Sequence, residues 1–153
     1  MSKNKNRFPI SASVAAFITN REGDLLFVQQ AAAHKEKKWG PPAGGVEIDE
    51  DPETALKREI REEIGVEIEL AYLIGVYVVK QEFKTGIAFV YRAIISNGTI
   101  QLNKKEISDF IYLNKIGIAR LIDKNLLYKA AYNIPALSDF ENKKSYPKEV
   151  VRF

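Results

Sequence analysis

Ser11 to Thr19 is a strand-like run in which Ser11 and Ser13 alternate with Ala12, Val14 and Ala16, the pattern of a half-buried strand. A second strand-like run covers Asp24 to Gln30, and Asn20-Arg21-Glu22-Gly23 between the two has the asparagine and glycine that suit a hairpin turn. Ala31 to Lys38 then leads into Trp39-Gly40-Pro41-Pro42-Ala43-Gly44-Gly45, where glycines and prolines predict an irregular loop with exposed amides. Asp51-Pro52 supplies an N-cap and an N1 proline, and Gly65 a C′ residue, so a helix is predicted from Pro52 to Ile64. Val66 to Val79 and Ile87 to Ile95 read as strands, and Ser96-Asn97-Gly98 predicts a hairpin into a further strand at Thr99 to Leu102. Ile116 to Ile122 and Leu126 to Tyr132 have the apolar spacing of helices that cover a sheet face. No repeat or linker divides the chain, so the expectation is one α/β domain over residues 1–153, with a mixed sheet.

Composition narrows the chemistry. The chain has 153 residues, 46% of them hydrophobic and 28% charged, which suits an ordinary globular domain able to bury a core. It holds no cysteine, which removes disulfides, thiolate zinc sites and cysteine nucleophiles, fits a reducing compartment and makes cytoplasmic residence the expectation. His34 is the single histidine, so HExxH-type sites are excluded. The longest apolar run, Ala71 to Val79, is about half of the roughly 20 residues that cross a bilayer, so no membrane partner is expected. The net charge is +3, and much of the excess lies at Lys3, Lys5 and Arg7 and at Lys143, Lys144, Lys148 and Arg152, read here as short solvated basic tails. The first eighteen residues run from basic to apolar as a signal peptide does, but the serine alternation favours a strand.

The predicted helix has two faces. At about 100° per residue, Leu56, Ile60 and Ile64 form a core stripe, and Glu59, Glu62 and Glu63 form an adjoining carboxylate stripe. Like charges at i, i+3 and i+4 repel, so something must offset them. Arg58 reaches Glu62 at i+4 and would suffice for a merely solvated surface helix. The preceding glycine loop, with Glu47, Asp49 and Glu50, points instead to a divalent cation and a phosphate chain.

Gly44, five residues, Glu50, seven residues, then Arg58-Glu59-Ile60-Arg61-Glu62-Glu63-Ile64-Gly65-Val66 resembles the complete Nudix box, GX5EX7REUXEEXGU, with Ile60 and Val66 at apolar positions of the pattern. Trp39-Gly40-Pro41-Pro42-Ala43 is similar to the tryptophan and proline lead-in found before it, and Glu106 to Leu113 is weakly similar to a downstream acidic-then-aromatic segment. The resemblance implies a Nudix-type α/β/α sandwich with a mixed β-sheet, and Mg²⁺- or Mn²⁺-dependent hydrolysis of a nucleoside diphosphate linked to another moiety. It places Glu59, Glu62 and Glu63 as metal ligands, with the Gly44 carbonyl beside them, Arg58 as an orienter of a carboxylate, and Glu50 as the residue that fixes the loop to the helix. Glu106, Glu62 and Glu82 are candidates for the base that takes a proton from water. Gly45, Glu47, Trp39 and Lys38 are candidate substrate contacts, with packing the competing role for Trp39 and a solvated loop for His34 and its lysines.

The substrate is less constrained. Members that cleave ADP-ribose often carry a proline about sixteen residues after the box, where this chain has Glu82, and the chain has no SQPWPFPxS-like segment of NADH-cleaving members. The expected partner is a small nucleotide or nucleotide-like pyrophosphate. An RNA 5′ end is an alternative that basic tails would suit, a non-catalytic nucleotide or nucleic-acid sensor on the same fold is another, and a homodimer is left open. The Gly40 to Gly45 run is not a P-loop, since no Lys-Ser or Lys-Thr follows the second glycine.

Overall fold

The computed structural model describes residues 9–31, 37–80 and 82–152. His34, Lys35 and the basic residues Lys3, Lys5 and Arg7 lie outside that set. In chain order the elements are β1 (Ile10–Phe17), β2 (Leu25–Gln30), β3 (Trp39–Gly40), β4 (Ala43–Gly45), α1 (Pro52–Ile64), β5 (Glu67–Lys80), β6 (Thr85–Asn97), β7 (Ile107–Leu113), α2 (Lys115–Asp123) and α3 (Ala130–Glu141).

Two sheets form the centre. One is four-stranded and mixed, in the order β4-β1-β6-β5, with β1 parallel to β6 and antiparallel to β4; the other is antiparallel, in the order β3-β2-β7. The predicted turn at Asn20 to Gly23 is present, closed by the Gly23 amide on the Asn20 carbonyl at 3.2 Å, and Thr19 bridges Leu25. Beyond that bridge β1 and β2 part into different sheets, so the expected hairpin is a junction between layers.

Alternation along β1 explains the layering. Val14 and Ala16 point to a core that includes Leu56, Ile60 and Ile64 of α1, while Ala15 and Phe17 point to a second core with Leu127, Ala136 and Leu137. Helix α1 therefore covers one side, α3 the other, and the arrangement is a helix-sheet-helix sandwich with a mixed sheet. Leu56, Ile60 and Ile64 are fully buried. Each contributes about 1.5–3 kcal/mol by removal from water, as an upper estimate against an extended chain.

Several sequence expectations are corrected. Trp39 to Gly45 is not an unstructured loop, because β3 pairs with β2 and β4 pairs with β1, and Pro41-Pro42 carries the chain from one sheet to the other. Thr99 to Leu102 is not a strand; its backbone caps α1 instead, with the Gln101 amide on the Ile64 carbonyl at 2.8 Å and the Asn103 amide on the Glu63 carbonyl at 2.9 Å. The hairpin partner of β6 is β5, with Glu67 opposite Asn97, and β6 begins at Thr85. Leu126 to Tyr132 is not one helix either. The left-handed Lys129 at φ 48° separates Leu126-Leu127-Tyr128 from α3, which continues through Pro135 to Glu141. Finally, the basic C-terminal segment is no solvated tail: Tyr146 exchanges two hydrogen bonds with Leu73 at 2.8 and 2.9 Å, Lys148 meets Glu53 at 3.3 Å, and Lys144 meets Asp139 at 2.9 Å.

Candidate active site

The helix carrying the carboxylates starts and stops where its ends are satisfied. Asp51 accepts the Thr54 amide at 2.9 Å, Pro52 sits at N1, and Gly65, at φ 70°, donates to the Arg61 carbonyl at 3.1 Å. This sets α1 so that its glutamate stripe faces β4 and the loop that follows it.

Arg58 is the hub of the stripe. It donates from Nε and Nη2 to the two oxygens of Glu50 at 2.8 and 2.9 Å, from Nη2 also to the Gly45 carbonyl at 2.9 Å, and from Nη1 to Glu59 at 2.8 Å and Glu62 at 3.2 Å. Glu47 stands 3.9 Å from the same guanidinium and is largely exposed. A planar fork with five donors can serve several carboxylates at once, which a lysine could not. Glu50 also accepts the Glu47 amide at 3.1 Å, so the loop is tied to the helix through one carboxylate.

The bonds to Arg58 hold the Glu50 carboxyl down to about 2 from an ordinary 4.5, with the Glu47 amide assisting. A group whose folded pKa is depressed stabilises the fold above its unfolded pKa, and that contribution is lost as pH falls from about 4.5 to about 2. Glu50→Gln should therefore lower stability at pH 7 by about 1–3 kcal/mol, the scale of a charge-assisted bond, and flatten the loss of stability below pH 4.5. Denaturant melts of both proteins from pH 7 to pH 3 check this. Parallel curves across that range would remove Glu50 from the tie.

Glu63 is the most enclosed acid, 5% exposed, with Oε2 accepting the Ala43 amide at 3.3 Å. Burial, then the charges of Glu59 and Glu106, push its carboxyl up to about 8 against the opposing pull of that amide and of Lys129. Glu59 is also raised, chiefly by burial and further by Glu62 and Glu106, with Arg58 opposing. Gly44 lies directly against it: a side-chain Cβ at that position would fall 1.9 Å from the Glu59 carboxyl carbon. Glycine is required there for close approach rather than for backbone conformation.

The structure therefore brings Arg58, Glu59, Glu62, Glu63, Gly44, Gly45 and Glu50 together, with Glu106 close enough to act on both buried acids. Glu82 sits apart at the exposed turn between β5 and β6, with no bond to these residues among those described. Trp39 packs against the second core and exchanges backbone bonds with Leu126 and Tyr128 at 2.9 and 2.7 Å, which favours packing over base stacking. Lys38, half-buried, sits beside it, and its carbonyl accepts the Gln30 amide at 2.9 Å. No motif announces Lys129, which lies 66 positions after Glu63 yet acts on it; only the fold brings the two together.

The donor set suits a hard divalent cation: oxygen ligands only, two of them destabilised as anions by burial and by each other, and a glycine leaving the space above Glu59 clear. Among the described residues no three acidic side chains are gathered tightly enough to grip an ion as they stand, since Arg58 holds Glu59 and Glu62 and the Ala43 amide holds Glu63.

Known proteins point the same way. A MutT-like protein of Streptomyces ambofaciens is 38% identical over 88 residues, 58% of this chain and 54% of that protein. An RNA pyrophosphohydrolase of Roseobacter denitrificans is 40% identical over 69 residues, 45% of this chain and 42% of its own. The chain thus spans about half the length of the curated relatives it matches. A solved NUDIX hydrolase from Nitrosomonas europaea superposes with a TM-score of 0.77 at 21% identity over 95% of this chain and 97% of that one, a likeness of fold. With the NUDIX domain family model matching residues 9–127, from β1 through the box to the end of the β3-bonded segment after α2, the chain belongs to the NUDIX family.

Proposed function

We propose that the chain hydrolyses the pyrophosphate bond of a nucleoside diphosphate linked to another moiety, with Mg²⁺ or Mn²⁺ held by Glu59, Glu62, Glu63 and the Gly44 carbonyl. The observation that carries this reading is the packing of Gly44 on Glu59 beside the buried Glu63. A helix that only needed solubility has no use for two enclosed, mutually repelling acids under a glycine. When bound, the cation supplies charge neutralisation at the non-bridging oxygens and lowers the pKa of a coordinated water.

The protein's own groups do the rest. Arg58 keeps Glu59 and Glu62 on one face of the helix, and Glu50 with the Gly45 carbonyl fixes Arg58, so a cation has only to draw carboxylate oxygens from a guanidinium that keeps Glu50 and Gly45 as partners. A water oxygen attacks one phosphorus, the bridging P–O bond breaks, and the leaving phosphate keeps the bridging oxygen. Glu106 and Glu62 are the candidates to accept the proton water loses: the charge of Glu106 acts on both Glu59 and Glu63, and Glu62 is the more open of the box acids, its side chain 50% exposed. Water attack on phosphorus needs no covalent protein intermediate.

The likeness to an RNA pyrophosphohydrolase keeps an RNA 5′ end as a second reading, although the ion pairs of Lys144 and Lys148 weaken the basic-tail argument for it. Turnover of a nucleotide panel and of a 5′-triphosphate RNA, each with Mg²⁺, with Mn²⁺ and with excess chelator, decides between them. Metal-dependent cleavage of the small substrates is expected. Cleavage of RNA alone would install the second reading, and tight nucleotide binding without any turnover would make the protein a sensor.

A further inference from the structure

The serines of β1 do not face solvent alone. Ser11 and Ser13 line a cavity of about 290 Å³ on the α3 side of the mixed sheet, together with Gly45 of β4, Lys84, Lys129 and Tyr132. Gly45 pairs with Ser13 across β1 and β4, and its carbonyl is bound by Arg58, so the cavity opens beside the box. Lys84 comes from the turn before β6, and Lys129 precedes α3.

The charge of this cavity comes from Lys84 and Lys129, the second of which also feels the charges of Glu63 and Glu59. Neither Lys84 nor Lys129 forms an ion pair among the described residues, and the two are close enough for each charge to act on the other. Lys129 also holds a left-handed backbone, φ 48° and ψ 47°, where glycine or asparagine would be less strained, and its ammonium lies 5.4 Å from the Tyr128 ring centre. Tyr132 is 4% exposed, and its buried hydroxyl has no hydrogen-bond partner among the described residues. Two unpaired cations, two hydroxyls on a strand and an orphan phenol beside one small cavity form a site for an anion with several acceptor oxygens. The volume lies at the lower end of the roughly 300–1,000 Å³ usual for ligand pockets, enough for a phosphorylated fragment but not for a nucleoside with its phosphates.

We propose that this cavity receives the fragment across the scissile bond from the nucleoside, and that Lys84 and Lys129 select substrates in which that fragment carries a terminal phosphate. The assignment rests on the hydrolase reading for the word substrate, but the anion site itself does not. A nucleoside triphosphate, whose second fragment is pyrophosphate, is the favoured class over a nucleoside diphosphate joined to a neutral sugar, whose second fragment is a sugar phosphate with no phosphate beyond the one that was cleaved.

Lys84→Gln, Lys129→Gln and the double variant test it by two readouts. In steady-state kinetics Lys84→Gln, which leaves the Lys129 charge beside Glu63 in place, should raise KM for a nucleoside triphosphate at least tenfold with kcat within threefold, and leave KM for a nucleoside diphosphate sugar within threefold. In calorimetry with excess chelator, inorganic pyrophosphate should bind the parent and lose at least tenfold in affinity in the double variant. Tyr132→Phe should keep the parent Tm and weaken pyrophosphate at least threefold. Equal pyrophosphate affinity in parent and double variant, or an equal rise in KM for both substrates, overturns the subsite. Should the parent turn over neither substrate, the hydrolase reading fails while the calorimetry still decides whether the anion site exists.

Discussion

Glu62→Gln is expected to lower turnover by at least about a hundredfold, the scale of losing a strong electrostatic contributor, while leaving the metal-free protein as stable as the parent. Its side chain is half exposed and makes a 3.2 Å bond to Arg58, which keeps Glu50 and Glu59 as partners when the charge at position 62 is removed. Neutralising Glu62 also relieves its repulsion with Glu59. With saturating Mg²⁺ the order of stability should reverse, because an ion bound only to the folded parent adds RT ln(1 + [L]/Kd). Melting curves with and without Mg²⁺, alongside turnover, check both halves. Equal metal-induced gains in Tm for parent and variant would place the cation elsewhere, and unchanged turnover would remove Glu62 from the chemistry.

Gly44→Ala should be nearly as damaging to activity by a different route. The added methyl would lie 1.9 Å from Cδ and 2.3 Å from Cγ of Glu59, so that side chain must leave its place, taking its bond to Arg58 with it. Overpacking of this kind costs about 1–3 kcal/mol, less where the obstructed group can swing away, and Glu59 is a flexible side chain at the edge of the core. Turnover is therefore expected to fall by about a hundredfold with only a modest drop in Tm. Gly45→Ala is the matching control for the fold, since a Cβ there meets no atom within 4 Å. A Gly44→Ala protein with parental turnover would show that the position of Glu59 does not matter to the reaction.

The carboxylate helix could be read from the chain because everything that defines it is local. Asp51, Pro52 and Gly65 mark its ends, and the spacing of Leu56, Ile60 and Ile64 against Glu59, Glu62 and Glu63 separates its faces within four turns. The lead-in was misread because two- and three-residue strands leave no periodicity, and the prolines that argued against regular structure only mark the step between sheets. Thr99 to Leu102 was misread for another reason: its backbone is satisfied by the carbonyls of Glu63 and Ile64, a partner no turn motif announces. Leu126 to Tyr132 overlaps only the first turn of α3, which runs on past Pro135 in its second turn, where the one bond the proline removes is tolerated beside buried Ala136 and Leu137. Arg58 was legible as an orienter, but its simultaneous hold on Glu50, Glu59, Glu62 and the Gly45 carbonyl needed the loop in place.

The parallel pairing of β1 with β6 sets Ile10 beside Thr85 and Phe17 beside Arg92, so the first strand closes its ladder with residues about half a chain away. The β5–β6 hairpin, by contrast, joins neighbours across a short turn. Loop closure of that length must precede any reward from the contacts it makes, which puts the hairpin early in folding and the arrival of β1 late. Because β4 has no place in the mixed sheet except against β1, Gly44 cannot reach Glu59 until that arrival. Assembly of the carboxylate cluster thus waits on a long-range contact, and partly folded chains that hold only helix α1 and the hairpin lack the packing of Gly44 on Glu59.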